Sequence, residues 1–386
     1  MPRGPLRRDL REDGGRVIRV AIISEPGIAG VKRHVVDLLH HLDVAEFELL
    51  FLYGLSRKDS QYESEIAHAR NRGIRCRDVG LVRAISPRAD ALSAFKIWLE
   101  LRAFRPQVVH VHSSKAGFLG RLAAKLALCG AKVIYSPHAL ACLDSRFYWW
   151  LERGAAMATD VMVAVSPSEA EDILRLRQTP PHRVRCIPVC IRDESEYPAV
   201  CSKQRGALVV ACGRICRQKQ PLLFFEAARA ILAKSPGVRF RWIGDYGDDR
   251  EAEEVRRLRD TDPLAAKVEI SGWTPAPDAE IAAAQVFCMT SRYESFGYVT
   301  ADAMMMGVPV VGVRTSGTRD LVIDGQTGLL CGDSAVEIAN SVERLLGDPV
   351  LRDHLSAAAR QQVLSNFSRP RMLGAISNLY REVAAK

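Results

Sequence analysis

Short apolar runs alternate with segments of helical period along almost the whole chain, and this pattern limits the fold more than any other feature. VIRVAIIS (17–24) is followed by the loop EPGIAG and then by Val31, Val35, Leu38, Leu39 and Leu42, which share one helix face. FELLFLYG, VVHVHS, VIYSPH and VMVAVS repeat the strand pattern, and helical stretches at 91–104 and 117–128 separate them. Runs apolar at consecutive residues are expected of strands buried on both faces, in a parallel sheet covered by helices. A polar break with Pro and Gly lies near residues 190–206, after which ALVVACG, FRWIG, VEISGW, VFCMTS and PVVGV restart the pattern. The reading is α/β: two Rossmann-like doubly wound domains facing across a cleft, with ligands beyond the carboxyl ends of the strands. The first domain is placed at 17–195 and the second begins at 196.

A length of 386 residues, 48% of them hydrophobic, supplies apolar material for two cores and excludes a disordered chain. The net charge of +9 favours anionic partners such as nucleotide phosphates or lipid headgroups, and no motif for nucleic-acid binding accompanies it. Residues 1–16 mix both charges with Gly and Pro, lack the apolar stretch of a signal peptide, and are expected to form a disordered basic tail. No run of 18 uncharged apolar residues appears, so no membrane span and a cytoplasmic location are expected. The ten cysteines are scattered. Cys186/Cys190 and Cys212/Cys216 are spaced i, i+4 rather than as Cys-x-x-Cys knuckles, which points to reduced thiols instead of a zinc site.

Three loops after strands carry candidate chemistry. Gly213, Arg214 and Lys219 follow ALVVACG; an Arg fork and a Lys point charge at a strand end suit a diphosphate, and a basic surface loop is the plain alternative. Glu294, Ser295, Phe296 and Gly297 follow VFCMTS and lead into a helix containing Asp302. Here a glycine permits close backbone approach, and the helix N-terminus favours a phosphate. A capping acid with a solvated helix acid would look the same. Gly27 and Gly30 follow the first strand but lack the G-x-G-x-x-G fingerprint, which disfavours a dehydrogenase, and no P-loop lysine motif exists. His110, His112 and His138 lie at strand ends; His138 is placed at the rim of the cleft, where an imidazole can bind a sugar hydroxyl or move a proton. Asp260 and Asp262 form an Asp-x-Asp that reads as a turn, and the aromatic run Phe147–Trp150 reads as half core or as a surface that touches membrane or acceptor.

Together, G-R-x-x-x-x-K (213–219), S-x-x-E-S-F-G (291–297), G-V-P-V-V (307–311) and TSGTRDLVIDGQTGLL (315–330) resemble the retaining glycosyltransferases of family four, which have the GT-B fold. HVHSSKAGFLGRLAA (110–124) and VIYSPH look like the members that build bacterial surface polysaccharides. The resemblance implies that Arg214 and Lys219 hold the donor diphosphate and that Glu294 binds donor-sugar hydroxyls. It places the Phe296 and Gly297 amides near phosphate or sugar, Asp302 on the ribose, His138 beside the transferred sugar, and Gly27 or Gly30 against the phosphates. It closes the donor domain at 368, with a final helix at 369–386 crossing back to the first domain. It further implies a UDP- or GDP-sugar donor and a lipid-linked or polysaccharide acceptor; the +9 charge and the basic, aromatic-bearing first domain are compatible with contact with an anionic membrane, and no metal or other cofactor is expected, since cations and amides would meet the phosphate charge. A 2-epimerase of the same fold and a non-catalytic nucleotide-sugar-binding scaffold are the alternatives. The sequence departs from the family at Asp302, where Glu is usual, at Val189-Cys190 in place of Asn-Gly, and at Ser316-Gly317 in place of paired glycines.

Overall fold

The computed structural model describes residues 17–140, 146–198 and 206–386. The expected tail at 1–16, Cys142 and Cys201 lie outside the described residues. Two parallel sheets form. The first contains β1 (Ile18–Ser24), β2 (Phe47–Tyr53), β3 (Arg75–Asp78), β4 (Val108–His112), β5 (Lys132–Ser136), β6 (Val161–Ala164) and β7 (Val184–Cys186), in the order β3-β2-β1-β4-β5-β6-β7. The second contains β8 (Leu208–Cys212), β9 (Arg239–Ile243), β10 (Glu269–Ile270), β11 (Val286–Met289), β12 (Val310–Val313) and β13 (Leu329–Cys331), in the order β10-β9-β8-β11-β12-β13. Register places Ile22 between Phe51 and His110 in the first sheet, and Phe287 between Val210 and Val310 in the second. In each sheet the order reverses beside the first strand, at β1/β4 and at β8/β11, which opens a ligand crevice at the carboxyl ends there.

Both faces of the central strands are covered, which explains their unbroken apolar runs. Val20, Ala21, Ile22 and Ile23 are fully buried. In the second sheet, Phe224, Phe225, Phe240 and Trp242 form one core layer, and Phe287, Phe296, Met304 and Phe367 belong to another. The edge strands β3, β7 and β13 carry no such run, and the periodicity passes over them.

Packing divides the chain into two compact units: Met1–Val163, Gln178–Val184 and Leu373–Lys386 in the first, and Ala164–Arg177 and Arg185–Met372 in the second. The division therefore falls earlier than the polar break near 190–206. Val165, Val189 and Ile191 are buried in the second unit's core, and the Ile191 N–H donates to the Phe367 carbonyl at 2.8 Å. The Ser168 amide and hydroxyl both donate to Asp320, at 3.0 and 2.8 Å. Residues from Leu373 onward belong to the first unit, where the Tyr380 hydroxyl meets His110 Nδ1 at 2.8 Å and Arg381 pairs with Glu46.

Candidate active site

In the second unit, the loops after β8 and β11 are laced together. Lys219 Nζ donates to Glu294 Oε1 at 2.5 Å. The Thr290 hydroxyl donates to the Lys219 carbonyl at 2.8 Å, and the Arg292 amide donates to the Gln218 carbonyl at 2.9 Å. Gly213 explains how Lys219 reaches its partner. Its φ is +146°, and a Cβ there would stand 2.8 Å from Lys219 Cε, so only glycine lets the lysine stem cross the backbone. Gly317, at φ +78°, plays the same part for Glu294: a Cβ would lie 2.5 Å from the Glu294 carbonyl oxygen, while the Glu294 amide donates to the Ser316 carbonyl at 3.0 Å. The Ser316-Gly317 departure thus preserves the glycine that the close approach needs.

Burial opposes the charge on Lys219, but the Glu294 carboxylate outweighs it and holds the ammonium pKa above its ordinary value. Arg214 is exposed and forms no ion pair with a described residue, which leaves a full positive charge available beside the loop. Gly297, at φ +91°, caps the helix Tyr298–Met305 and opens its first turn toward the same end of the sheet. The Phe296 ring is buried against Tyr298 and Phe367, so only its backbone is open to a ligand role. Ser295 sits beside the buried carboxyl of Glu169, whose pKa burial pushes up to about 7 against the Val165 amide and Ser295.

Asp302 is buried, and its Oδ1 accepts the Tyr197 hydroxyl at 2.6 Å. Arg192 lies 3.9 Å from Asp302, stacks over the Tyr197 ring at 4.3 Å and makes a two-pronged pair with Asp278 at 2.7 and 2.9 Å. The carboxylate expected on the ribose is therefore already held by the protein. Arg192 and Tyr197 fall in the segment that reads as a polar break, and nothing in their spacing announces a bond to a residue more than a hundred positions away. An open pocket on the same unit is lined by Arg175, Arg292, Arg314, Thr315, Ser316 and Arg319 together with the carboxylates of Glu171 and Asp172.

In the first unit, His112 ends β4, His138 follows β5 and His34 stands in the helix after β1, Ala29–His41. His112 Nδ1 and His138 Nε2 share a hydrogen bond at 2.9 Å, and the His34 ring centroid lies 5.0 Å from that of His138. Burial lowers the pKa of His34 to about 4 and those of His112 and His138 well below the usual histidine value, so the trio is neutral at pH 7. Their nitrogens lie within 4.8 Å of one another. The three imidazoles are thus close enough to share a metal ion. His110 is a satisfied core residue between the Tyr380 and Ser136 hydroxyls.

Gly27 serves packing. A Cβ there would strike the Tyr62 ring, and its amide donates to the Arg57 carbonyl at 2.8 Å. Gly30 lies in the first turn of the helix Ala29–His41 and is half-buried. Asp262 is a helix cap, accepting from the Leu264 and Ala265 amides and pairing with Arg229 at 2.6 Å. The eight described cysteines are free thiols.

Comparison with known proteins agrees with this architecture. Residues 28–195 match the model described as Glycosyltransferase Family 4, and residues 206–348 match Glycosyl transferases group 1. Among curated proteins, the chain is 24% identical over 375 residues to UDP-Gal:alpha-D-GlcNAc-diphosphoundecaprenol alpha-1,3-galactosyltransferase of Escherichia coli, covering 92% of this chain and 94% of that one. It is 28% identical over 179 residues to the lipopolysaccharide core biosynthesis glycosyltransferase LpsE of Rhizobium meliloti, covering 46% and 49%. Among solved structures, Anabaena HepE in complex with UDP and glucose superposes with a TM-score of 0.80 at 17% identity, over 95% of this chain and 100% of that one. With two parallel α/β units, each matched to a glycosyltransferase model, the chain is a glycosyltransferase of GT-B fold, similar to family four.

Proposed function

We propose that this enzyme moves a sugar from a nucleotide-sugar donor, UDP- or GDP-linked, to a lipid-linked or polysaccharide acceptor at an anionic membrane, with retention of anomeric configuration and without a metal ion. The observation that carries the reading is the Lys219–Glu294 pair at the carboxyl ends of β8 and β11, with the exposed Arg214 on the same loop. Departure of a nucleoside diphosphate from the sugar carbon builds negative charge on the leaving oxygen. Lys219, Arg214 and the helix end at Gly297 stabilise that charge more in the transition state than in the ground state. Glu294, fixed by Lys219 and by the Ser316-Gly317 turn, accepts hydrogen bonds from donor-sugar hydroxyls. Asp302, fixed by Tyr197, is assigned to the ribose. Neutral His138 is assigned to a hydroxyl of the transferred sugar, as a hydrogen-bond partner rather than a charged acid. The relatives support donor and acceptor classes: HepE is seen with UDP and glucose, and the Escherichia coli relative is named for a diphosphoundecaprenol-linked acceptor.

The test is release of nucleoside diphosphate from UDP- and GDP-sugars, with and without a lipid extract carrying acceptor. Release that requires the extract, and that is lost in both Lys219→Ala and Glu294→Ala, supports the proposal. Equal release without acceptor, yielding free sugar, would point to the epimerase, and tight donor binding without turnover to the scaffold.

A further inference from the structure

Three neighbouring helices of the first unit, Pro87–Phe104, Ser114–Ala127 and Arg146–Ala155, present large apolar side chains to solvent, although the first two already bury an apolar face. On the first, Ser93, Ile97, Leu101 and Phe104 form the buried stripe, yet Leu92, Phe95 and Leu99 are exposed at helical spacing on another face. On the second, Leu122 and Leu126 are exposed one turn apart. On the third, Phe147 and Trp150 are 64% and 65% exposed. The second helix packs against both of the others. Trp98 stacks on Phe95 at 5.7 Å and donates its Nε1 hydrogen to the Leu126 carbonyl at 3.2 Å, joining the first helix to the second. Arg121 pairs with Glu152 at 2.8 Å, joining the second to the third.

The charge on these helices is one-sided. Arg88, Lys96, Arg102, Lys125 and Arg153 are exposed. The described carboxylates are withdrawn: Asp90 pairs with Lys115 at 2.6 Å, Glu100 lies 3.8 Å from Arg77, and Glu152 is buried on Arg121. Arg102 and Arg153 lie over the Trp98 and Trp149 rings, with their apolar stems along the same surface. Exposed aromatic and aliphatic groups flanked by these five cations match the boundary between acyl chains and anionic headgroups. The same face on a second copy would set like charges against each other.

We infer that the face built by these three helices is where the protein docks on an anionic lipid bilayer, with Phe95, Leu126 and Trp150 entering the acyl boundary and the five cations meeting headgroups. This deepens the membrane contact proposed above, but it stands on a surface that no catalytic assignment uses, so the two can fail separately.

The test is co-flotation of the full chain with vesicles of phosphatidylcholine alone or with about one third phosphatidylglycerol. Wild type should float with the anionic vesicles and far less with neutral ones, and added salt should weaken the binding. Leu126→Ser/Trp150→Ser and Lys96→Glu/Lys125→Glu should each cut the bound fraction about tenfold. Trp273→Ser, an exposed aromatic of the second unit, should leave it unchanged. All four positions in the double variants are exposed, and far-ultraviolet circular dichroism with equilibrium binding of UDP and GDP in vesicle-free buffer should match wild type, showing that the fold and donor site persist. Unchanged flotation of both double variants overturns the inference. So does equal binding to neutral vesicles, or a wild-type dimer that the double variants convert to monomer. Wild type that floats but releases no nucleoside diphosphate from UDP- or GDP-sugars even with the acceptor-bearing extract would overturn the catalytic reading and leave this surface standing.

Discussion

At the carboxyl ends of β1, β4 and β5, the first unit gathers His34, His112 and His138 as neutral rings, whereas at the ends of β8 and β11 the second unit gathers Lys219 and Glu294 as formal ions. The difference follows from what each corner can satisfy. The histidines are buried with no carboxylate among the influences on them, so the uncharged form wins. The lysine, packed about as deeply as His138, has a carboxylate at hydrogen-bond distance, so it keeps its charge. On the proposed reading, the first corner orients a neutral sugar by hydrogen bonds, and the second supplies the field that a leaving diphosphate requires.

If that contrast carries the reaction, the two corners should respond unequally to truncation. Lys219→Ala should lower kcat by about a thousandfold, since it removes a cation from the leaving group and frees Glu294 from its partner. His138→Ala, which removes a neutral hydrogen bond, should cost about tenfold. Gly213→Ala should approach the lysine variant at about a hundredfold, because the new methyl group occupies the path of the Lys219 stem. Steady-state rates for the three variants check the order, and a His138 variant slower than the Lys219 variant would reverse the comparison.

Acid should separate the units in stability. The folded-state pKa of His34 is lowered to about 4 from an ordinary 6.5, so its neutral form contributes fully above the unfolded value, and that contribution fades as pH falls toward 4. Between pH 7 and about 4.5, this single ring should cost roughly 2 kcal/mol of unfolding free energy. His110, His112 and His138 act in the same direction. Glu169 of the second unit has the opposite sign. Its folded pKa is raised from 4.5 to about 7, so its contribution is complete below 4.5 and declines as pH rises through 7. Urea titrations across this range should show the acid loss shrink in His34→Gln and the neutral-side loss shrink in Glu169→Gln. Parallel curves for either variant and wild type would remove the contrast.

What the sequence disclosed divides along similar lines. Central strands such as β1, β4, β8 and β11 were legible because burial on both faces writes a continuous apolar run. β3, with sequence RCRD and mostly exposed, writes none. The loops holding Lys219 and Glu294 were legible because the backbone geometry demands particular residues at particular places, Gly213 and Gly297 among them. The partners of Asp302 were not, because Tyr197 and Arg192 reach it only through tertiary packing. Gly27 shows a different limit: the sequence does not disclose that the Tyr62 ring also requires a glycine there.

Tyr197→Phe tests whether Asp302 belongs to the charged corner. The hydroxyl donates to a buried carboxylate, and such bonds contribute about 1.5–3 kcal/mol. Arg192 and Asp278 should keep the local fold. The variant should therefore raise the donor KM roughly tenfold with little change in kcat, because a loosened Asp302 affects binding rather than the leaving charge. A fall in kcat with KM unchanged would move Asp302 from holding the nucleotide to the reacting centre.

The smallest expected effect is that of a chelator. With Lys219 and Arg214 as the cations facing the diphosphate, transfer in excess EDTA should stay within about twofold of the untreated rate. Asp262 should be silent in the same assay, because its carboxylate is spent on the Leu264 and Ala265 amides and on Arg229. A rate that collapses in EDTA and returns with added Zn²⁺ would direct attention to the one cluster of imidazoles close enough to share an ion among the described residues, His34, His112 and His138. The neutral corner would then be the charged one, and the division of labour between the two sheets would have to be redrawn.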